Sequence, residues 1–320
     1  MLVIEARVVL TVLWVTLEME RRIIVTRWGP EGKQAAVSFA FDNLGEASDL
    51  EFGRWPIDKP IGSHHSVTRD LPLILEALAD FKVAFFIEAW NLPVYPDALR
   101  AIREAGHEIG SHGMRHEIWC TLSAEQERDH MKRCIDDFHR YGIEIKGLRP
   151  PGAIAAPSSG EVLPELGLTY ISPMGVPTGV LDTGLAVLES VVGASDVAFY
   201  SESFVKYRSY KPNNEVLTAE DFVEGMMFEI EKAIVAGGYI STTCHPFYQS
   251  SSPERTDLAR IEAIAEIVRR IEADERVWSA TPGDVASWMI SRSAEFPGPD
   301  SMSPPAFWNP SFYSDLRREN

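Results

Sequence analysis

The chain has 320 residues, of which 45% are hydrophobic and 24% charged, so it can bury a large core and wholesale disorder is excluded. Thirty Lys and Arg against 47 Asp and Glu give a net charge of −17. A field of that sign repels nucleic acid and anionic lipid, and neither is an expected partner. Three cysteines, Cys120, Cys134 and Cys244, form no C-x-x-C pair and no disulfide framework. They fit a reducing compartment, and a cytoplasmic location is the expectation.

The chain opens with an apolar run, Val8 to Leu17, that is too short to span a bilayer and lacks a small-residue cleavage site after it. Its β-branched content suits a strand, and an upstream extension is the other reading. Residues 1–33 are taken as an N-terminal extension. Ala36 to Phe41 is then an apolar strand with an acid directly after it. Leu71 to Ala79 has helical spacing, and Val83 to Ile87 reads as a buried strand. Pro96 to Ala105 is a helix with Pro at its start and Gly106 beyond its end. His107 to Ser111 is a short strand. Ser123-Ala-Glu-Gln opens a helix to Tyr141 with a capping-box pattern. Gly147 to Arg149 and Thr169 to Ile171 are brief strands. Ala219 to Ala236 is a helix stopped by Gly237-Gly238, followed by a strand, Tyr239 to Cys244. Asp257 to Ala273 is an amphipathic helix, Val277 to Ser279 a last strand, and Thr281 opens a final helix to Ile290.

Strands alternating with helices imply βα units and a parallel sheet, and about seven such units favour an α/β barrel over an open sheet. No Gly-rich phosphate loop follows a strand, which argues against a nucleotide-binding sheet. The barrel is expected over 34–290. From Ser291 the composition shifts to Ser, Pro, Glu and aromatics. That tail, 291–320, is expected to dock on the surface or on another subunit, because Phe307, Trp308, Phe312 and Tyr313 would be costly to expose. A homo-oligomer is therefore an open expectation.

In parallel barrels, chemistry sits where strands end at their C-termini. The residues found there are Asp42-Asn43, His112 and His116, Arg149-Pro-Pro-Gly152, and His245-Pro. His112 and His116 are spaced i, i+4, and two imidazoles so spaced can meet one cation; two unrelated histidines is the alternative. Asp42 is a general base, a ligand or a helix cap. Arg149 is a surface residue or the partner of a buried carboxylate. His245 is a satisfied core histidine or a general acid aimed by the following Pro. His64 and His65 read as solvated loop histidines, with a substrate contact as the other reading. His107 reads as a hydrogen-bonded support, His130 and His139 as surface residues, and Cys244 as a small buried hydrophobe.

The run Gly106-His-Glu-Ile-Gly-Ser-His-Gly-Met-Arg-His116 resembles the second motif of the polysaccharide deacetylase family, the NodB-homology fold of carbohydrate esterase family 4. Arg149-Pro150-Pro151-Gly152 resembles its third motif, Thr243-Cys244-His245 its last, and VWSATPGDVASW its closing strand and helix. The likeness covers roughly 34 to 290 and is nearest the intracellular branch of peptidoglycan-deacetylase-like and allantoinase-like enzymes. It implies a distorted seven-stranded (β/α) barrel, related to the TIM barrel, that hydrolyses N-acetyl or other non-peptide C–N bonds with a divalent metal. Zinc is the expected metal, with cobalt or nickel as alternatives, and an N-acetylated amino sugar, as a small molecule or oligosaccharide, is the expected substrate. By that resemblance His112 and His116 are metal ligands, Asp42 the base, Arg149 its ionic partner and His245 the acid. Pro150, Pro151 and Gly152 would border the substrate.

Two departures stand out. The family places two aspartates after Phe, whereas here the run is Phe41-Asp42-Asn43-Leu44-Gly45-Glu46. Asn43 then becomes a neutral metal ligand, or in a shifted register Leu44 fills the ligand position and Glu46 reaches in. The family's fourth motif, usually Asp and Trp, is missing from Tyr170-Ile-Ser-Pro-Met. These departures keep two further readings open: a metal-independent amide or cyclic-imide hydrolase, and an inactive carbohydrate-binding barrel.

Overall fold

The computed structural model describes residues 27–302. The expectations for residues 1–18 and for the tail aromatics Phe307, Trp308, Phe312 and Tyr313 lie outside the described residues.

The expected first strand is two strands, β1 (Ala35–Ser38) and β2 (Ala40–Asp42). The break at Phe39 lets one stretch of chain serve two sheets. β1 pairs in parallel with β10 (Tyr239–Thr243) and β13 (Val277–Ser279). β2 pairs in parallel with β3 (Ala84–Ile87), which continues to β4 (Glu108–Ser111), β5 (Gly147–Leu148) and β6 (Tyr170–Ile171). Single bridges, Phe41 to Cys244 and Met174 to Ser190, tie the two sheets together. The result is the α/β arrangement of parallel strands and outer helices that the alternating pattern predicts.

The stretch after β6 carried no readable pattern. It forms an antiparallel hairpin, β7 (Gly179–Val180) and β8 (Ala186–Val187), and then β9 (Ser190–Ser195) on the edge of β10. A small hairpin, β11 (Ser250–Ser252) with β12 (Arg255–Thr256), follows β10.

Most of the helices follow their sequence signals, while three short ones, Ala47–Glu51, Ser159–Glu165 and Val197–Tyr200, were not read from the sequence. They run as α1 (Ala47–Glu51), α2 (Leu71–Ala77), α3 (Pro96–Glu104), α4 (Ala124–Arg140), α5 (Ser159–Glu165), α6 (Val197–Tyr200), α7 (Ala219–Ala236), α8 (Leu258–Ala273) and α9 (Pro282–Ile290). Ser123 and Gln126 close the reciprocal capping box on α4. Thr218, Asp257 and Thr281 cap α7, α8 and α9. Gly237 ends α7 at φ 66°, a left-handed turn that glycine adopts without a Cβ penalty.

Apolar side chains between strands and helices form the main core, including Phe85, Ile109, Leu148, Phe199, Phe222 and Ile267. The strands' inner side is tightly filled. A Cβ on Gly147 would lie 2.3 Å from the Tyr170 ring, so only glycine admits that ring. Beyond the expected barrel ends, Trp28 packs 4.8 Å from Phe296, and both are buried.

Candidate active site

Strand ends deliver the site. β2 ends at Asp42, β4 leads to His112, β5 leads to Arg149 and β10 leads to His245. Asp42, Asn43, His112, His116 and His245 line one cavity of about 620 Å³. Gly152 lines it too, while Pro150 and Pro151 are buried behind that wall.

Arg149 is fully buried and is a hub rather than a surface residue. Its Nη1 donates to Asp42 Oδ1 at 2.9 Å and to Thr243 Oγ1 at 3.0 Å. Nε and Nη2 donate to Ser172 Oγ, and Nη2 to Ser241 Oγ. The guanidinium lies 4.4 Å from the Phe86 ring centre. One cation thus ties β2, β10 and the ends of β5 and β6, and it compensates the buried carboxylate that faces the cavity. Asp42 Oδ2 accepts no hydrogen bond among the described residues and is left to a ligand.

His245 has the inverse arrangement. Its Nδ1 lies 2.7 Å from Asp196 Oδ1, and its backbone N–H donates to Asp196 Oδ2 at 2.6 Å. Asp196 is fully buried and also receives Gln249 Nε2. Burial pulls the imidazole's pKa down, but the charge and hydrogen bond of Asp196, helped by Asp42, outweigh it and leave the pKa above the ordinary 6.5. His245 therefore favours carrying a proton. Asp196 was missed from the sequence. The Tyr170 stretch carries no acid, and Asp196, 26 residues beyond Tyr170, stands beside His245. It directly follows β9, whose Ser195 pairs with Thr243 of β10.

The histidine pair is neutral. Burial draws His112 down to about 3 and His116 well below its usual value. His112 Nδ1 donates to the Arg149 carbonyl at 2.8 Å, which fixes the tautomer and leaves the Nε2 lone pair free for a cation. The two ring centres are 5.2 Å apart. Two imidazoles sharing one tetrahedral cation would sit about 5 Å apart, so the pair fits a common ion. His116 Nδ1 and Asn43 Oδ1 are buried without partners, which a cation would also satisfy. Yet no three His, Cys, Asp or Glu among the described residues form a metal set. The fitting donors are two neutral imidazoles and one amide oxygen. Asn43, His116 and Ala153 hold left-handed backbones at φ 61°, 76° and 57°, so backbone strain gathers at this cavity.

Glu46 does not reach the histidines. It is buried, accepting from Tyr95 Oη and the Gly62 N–H. Leu44 is core. His64 is buried rather than solvated, with Nδ1 2.7 Å from Ser66 Oγ, and it stacks on His65 at 4.5 Å. Both line the cavity. His107 accepts a long 3.4 Å bond from the Val83 N–H, and Cys244 is a fully buried thiol whose pKa burial raises.

Residues 59–171 match the family model described as "Polysaccharide deacetylase". Similar solved structures include a protein described as a polysaccharide deacetylase from Mycobacterium smegmatis, 23% identical, with TM-score 0.70, covering 88% of this chain and 96% of that one. Puue allantoinase is 18% identical, with TM-score 0.63 and coverage of 84% and 96%. A protein described as a polysaccharide deacetylase from Pseudomonas aeruginosa PAO1 is 19% identical, with TM-score 0.60 and coverage of 82% and 93%. At these identities the likenesses establish the fold. No protein with curated annotation matches the sequence. No helix among the described residues is long and apolar enough to cross a membrane.

Proposed function

We propose, from the match of residues 59–171 to the polysaccharide deacetylase model and from the site's geometry, that this chain is a hydrolase of non-peptide C–N bonds and cleaves an amide-type bond with Asp42 as base and His245 as acid. The observation that carries this is the pairing of opposite proton states across one cavity: a carboxylate backed by Arg149 and an imidazole held protonated by Asp196.

Water attacks the carbonyl carbon while Asp42 takes its proton. The C–N bond of the tetrahedral species then breaks as His245 gives its proton to the nitrogen. An unprotonated amine is a poor leaving group, so the acid is as necessary as the base. Arg149 holds Asp42 in place and balances its charge. The seat for a divalent ion, zinc foremost, is His112 and His116 with Asn43 Oδ1, where it would supply Lewis-acid polarisation of the carbonyl and water. An N-acetylated amino sugar, alone or in an oligosaccharide, remains the leading substrate class.

The test is amine and acetate release from a panel of N-acetylated amino sugars and small amides. His245→Ala should lower the rate by about 10² or more with the circular dichroism spectrum unchanged. Retention of more than about a tenth of the rate removes His245 from the mechanism. The neutral Asn43 favours a second reading, a metal-independent amide or cyclic-imide hydrolase. Activity that survives exhaustive chelation would select it.

A further inference from the structure

We propose that the cavity takes a small substrate bearing a carboxylate, held by Arg54 and Lys206, which both line it. This deepens the C–N hydrolase reading and rests on it.

Arg54 is built into place. Its Nε donates to Asp49 Oδ1 at 3.1 Å and its Nη2 to Ser48 Oγ at 3.2 Å. Its guanidinium lies 5.0 Å from the centre of the Phe52 ring, which in turn meets His116 edge-on at 5.4 Å. The side chain is thus fixed from behind and lies over the ring that meets His116. Nη1 makes no hydrogen bond among the described residues, and its two N–H groups remain for a ligand. A guanidinium held this way offers a planar fork that suits a carboxylate.

Lys206 lines the same cavity from a distant stretch of chain, the short turn Val205–Tyr207 that follows α6. It is exposed, its Nζ is 5.1 Å from the Tyr207 ring centre, and it makes no ion pair among the described residues.

Charge around the cavity points the same way. The acids that line it are Asp42 and Asp49, and each already has a cation: Arg149 for the first, Arg54 for the second, with His64 also near Asp49. Among the described residues Lys206 has no acidic partner, whereas a protonated His245 is balanced by Asp196. A chain with a net charge of −17 therefore surrounds a cavity of net positive charge. Such a local reversal recruits an anion that the rest of the surface repels. A volume of about 620 Å³ holds a small molecule with both its scissile amide and its carboxylate.

The experiment uses the full chain and a matched pair of probes, N-acetylglycine and its neutral counterpart N-acetylglycinamide, in calorimetric titrations. The unaltered protein should bind the carboxylate about tenfold or more tightly than the neutral amide, the scale of a hydrogen-bonded charge. Lys206→Met and Arg54→Gln should each shrink that ratio while leaving the neutral probe's affinity unchanged. Lys206 is exposed, so its variant keeps the test valid even if Arg54→Gln disturbs the fold. Equal binding of the two probes, binding of neither, or a ratio that survives both substitutions overturns the proposal. Hydrolysis is read separately as amine release. An intact carboxylate preference with no turnover of any amide upholds this site and overturns the hydrolase reading instead.

Discussion

Two ion pairs face the same cavity with opposite polarity. In one, the carboxylate of Asp42 meets the cavity and its cation, Arg149, is fully buried behind it. In the other, the imidazole of His245 meets the cavity and its anion, Asp196, is fully buried behind it. The chemical ingredients are alike: an acid, a base and a hydrogen bond of 2.9 or 2.7 Å. What differs is which member is presented. A buried cation makes its partner a proton acceptor, and a buried anion makes its partner a proton donor. On the proposed mechanism, the role of each cavity side chain is set by its buried partner as much as by its own chemistry.

The strongest way to break this comparison is to remove the larger of the two buried partners. Arg149→Met strands the Asp42 carboxylate and cancels the hydrogen bonds to Ser172, Ser241 and Thr243. Loss of one member of a buried pair costs about 3–5 kcal/mol, and thermal unfolding should show a correspondingly lower midpoint with activity lost. The double variant Asp42→Asn/Arg149→Met should regain part of that stability, since no uncompensated charge is left. A single variant as stable as the parent would mean that Arg149 is not the hub.

The second pair yields a subtler effect. Asp196→Asn removes the charge that lifts His245, and burial alone then pulls the imidazole down. The acid loses its proton at lower pH, so the alkaline limb of the rate profile should move to lower pH by about one unit or more. Stability follows the same sign. A pKa raised in the folded state contributes stability that is fully present below the unfolded value and is lost as pH rises through the folded value. The variant should therefore lose more stability at pH 5 than at pH 9. An alkaline limb that stays in place would reduce Asp196 to a structural partner.

The smallest effect sharpens the contrast between charged and neutral donors. Asn43→Asp adds a carboxylate beside His112 and His116, and more ligand charge means tighter cation binding. Zinc titrated by calorimetry should bind about tenfold or more tightly to the variant. Equal affinities would remove Asn43 from the donor set and shift weight to the metal-independent reading.

Much of this was legible in advance, for a local reason. Asp42, His112, Arg149 and His245 each lie at or just past the end of a short strand, and a parallel strand order sends all such ends to one face. Residue order alone therefore predicted their convergence, and the helix boundaries at Ser123, Gly237 and Thr281 were written in capping chemistry. Asp196 was not legible, because β9 has no alternating pattern and follows a hairpin of two-residue strands too short to show one. Its role exists only because β9 pairs with β10 and sets Asp196 beside His245, 49 residues away in sequence. Arg54 likewise looks like one loop arginine among many until Asp49, Ser48 and Phe52 fix it beside His116. By itself the sequence determined the βα order and the side chains that strand ends present. Only the tertiary structure decided which buried charge stands behind each of them, because that partner comes from a distant stretch of chain and carries no local signature.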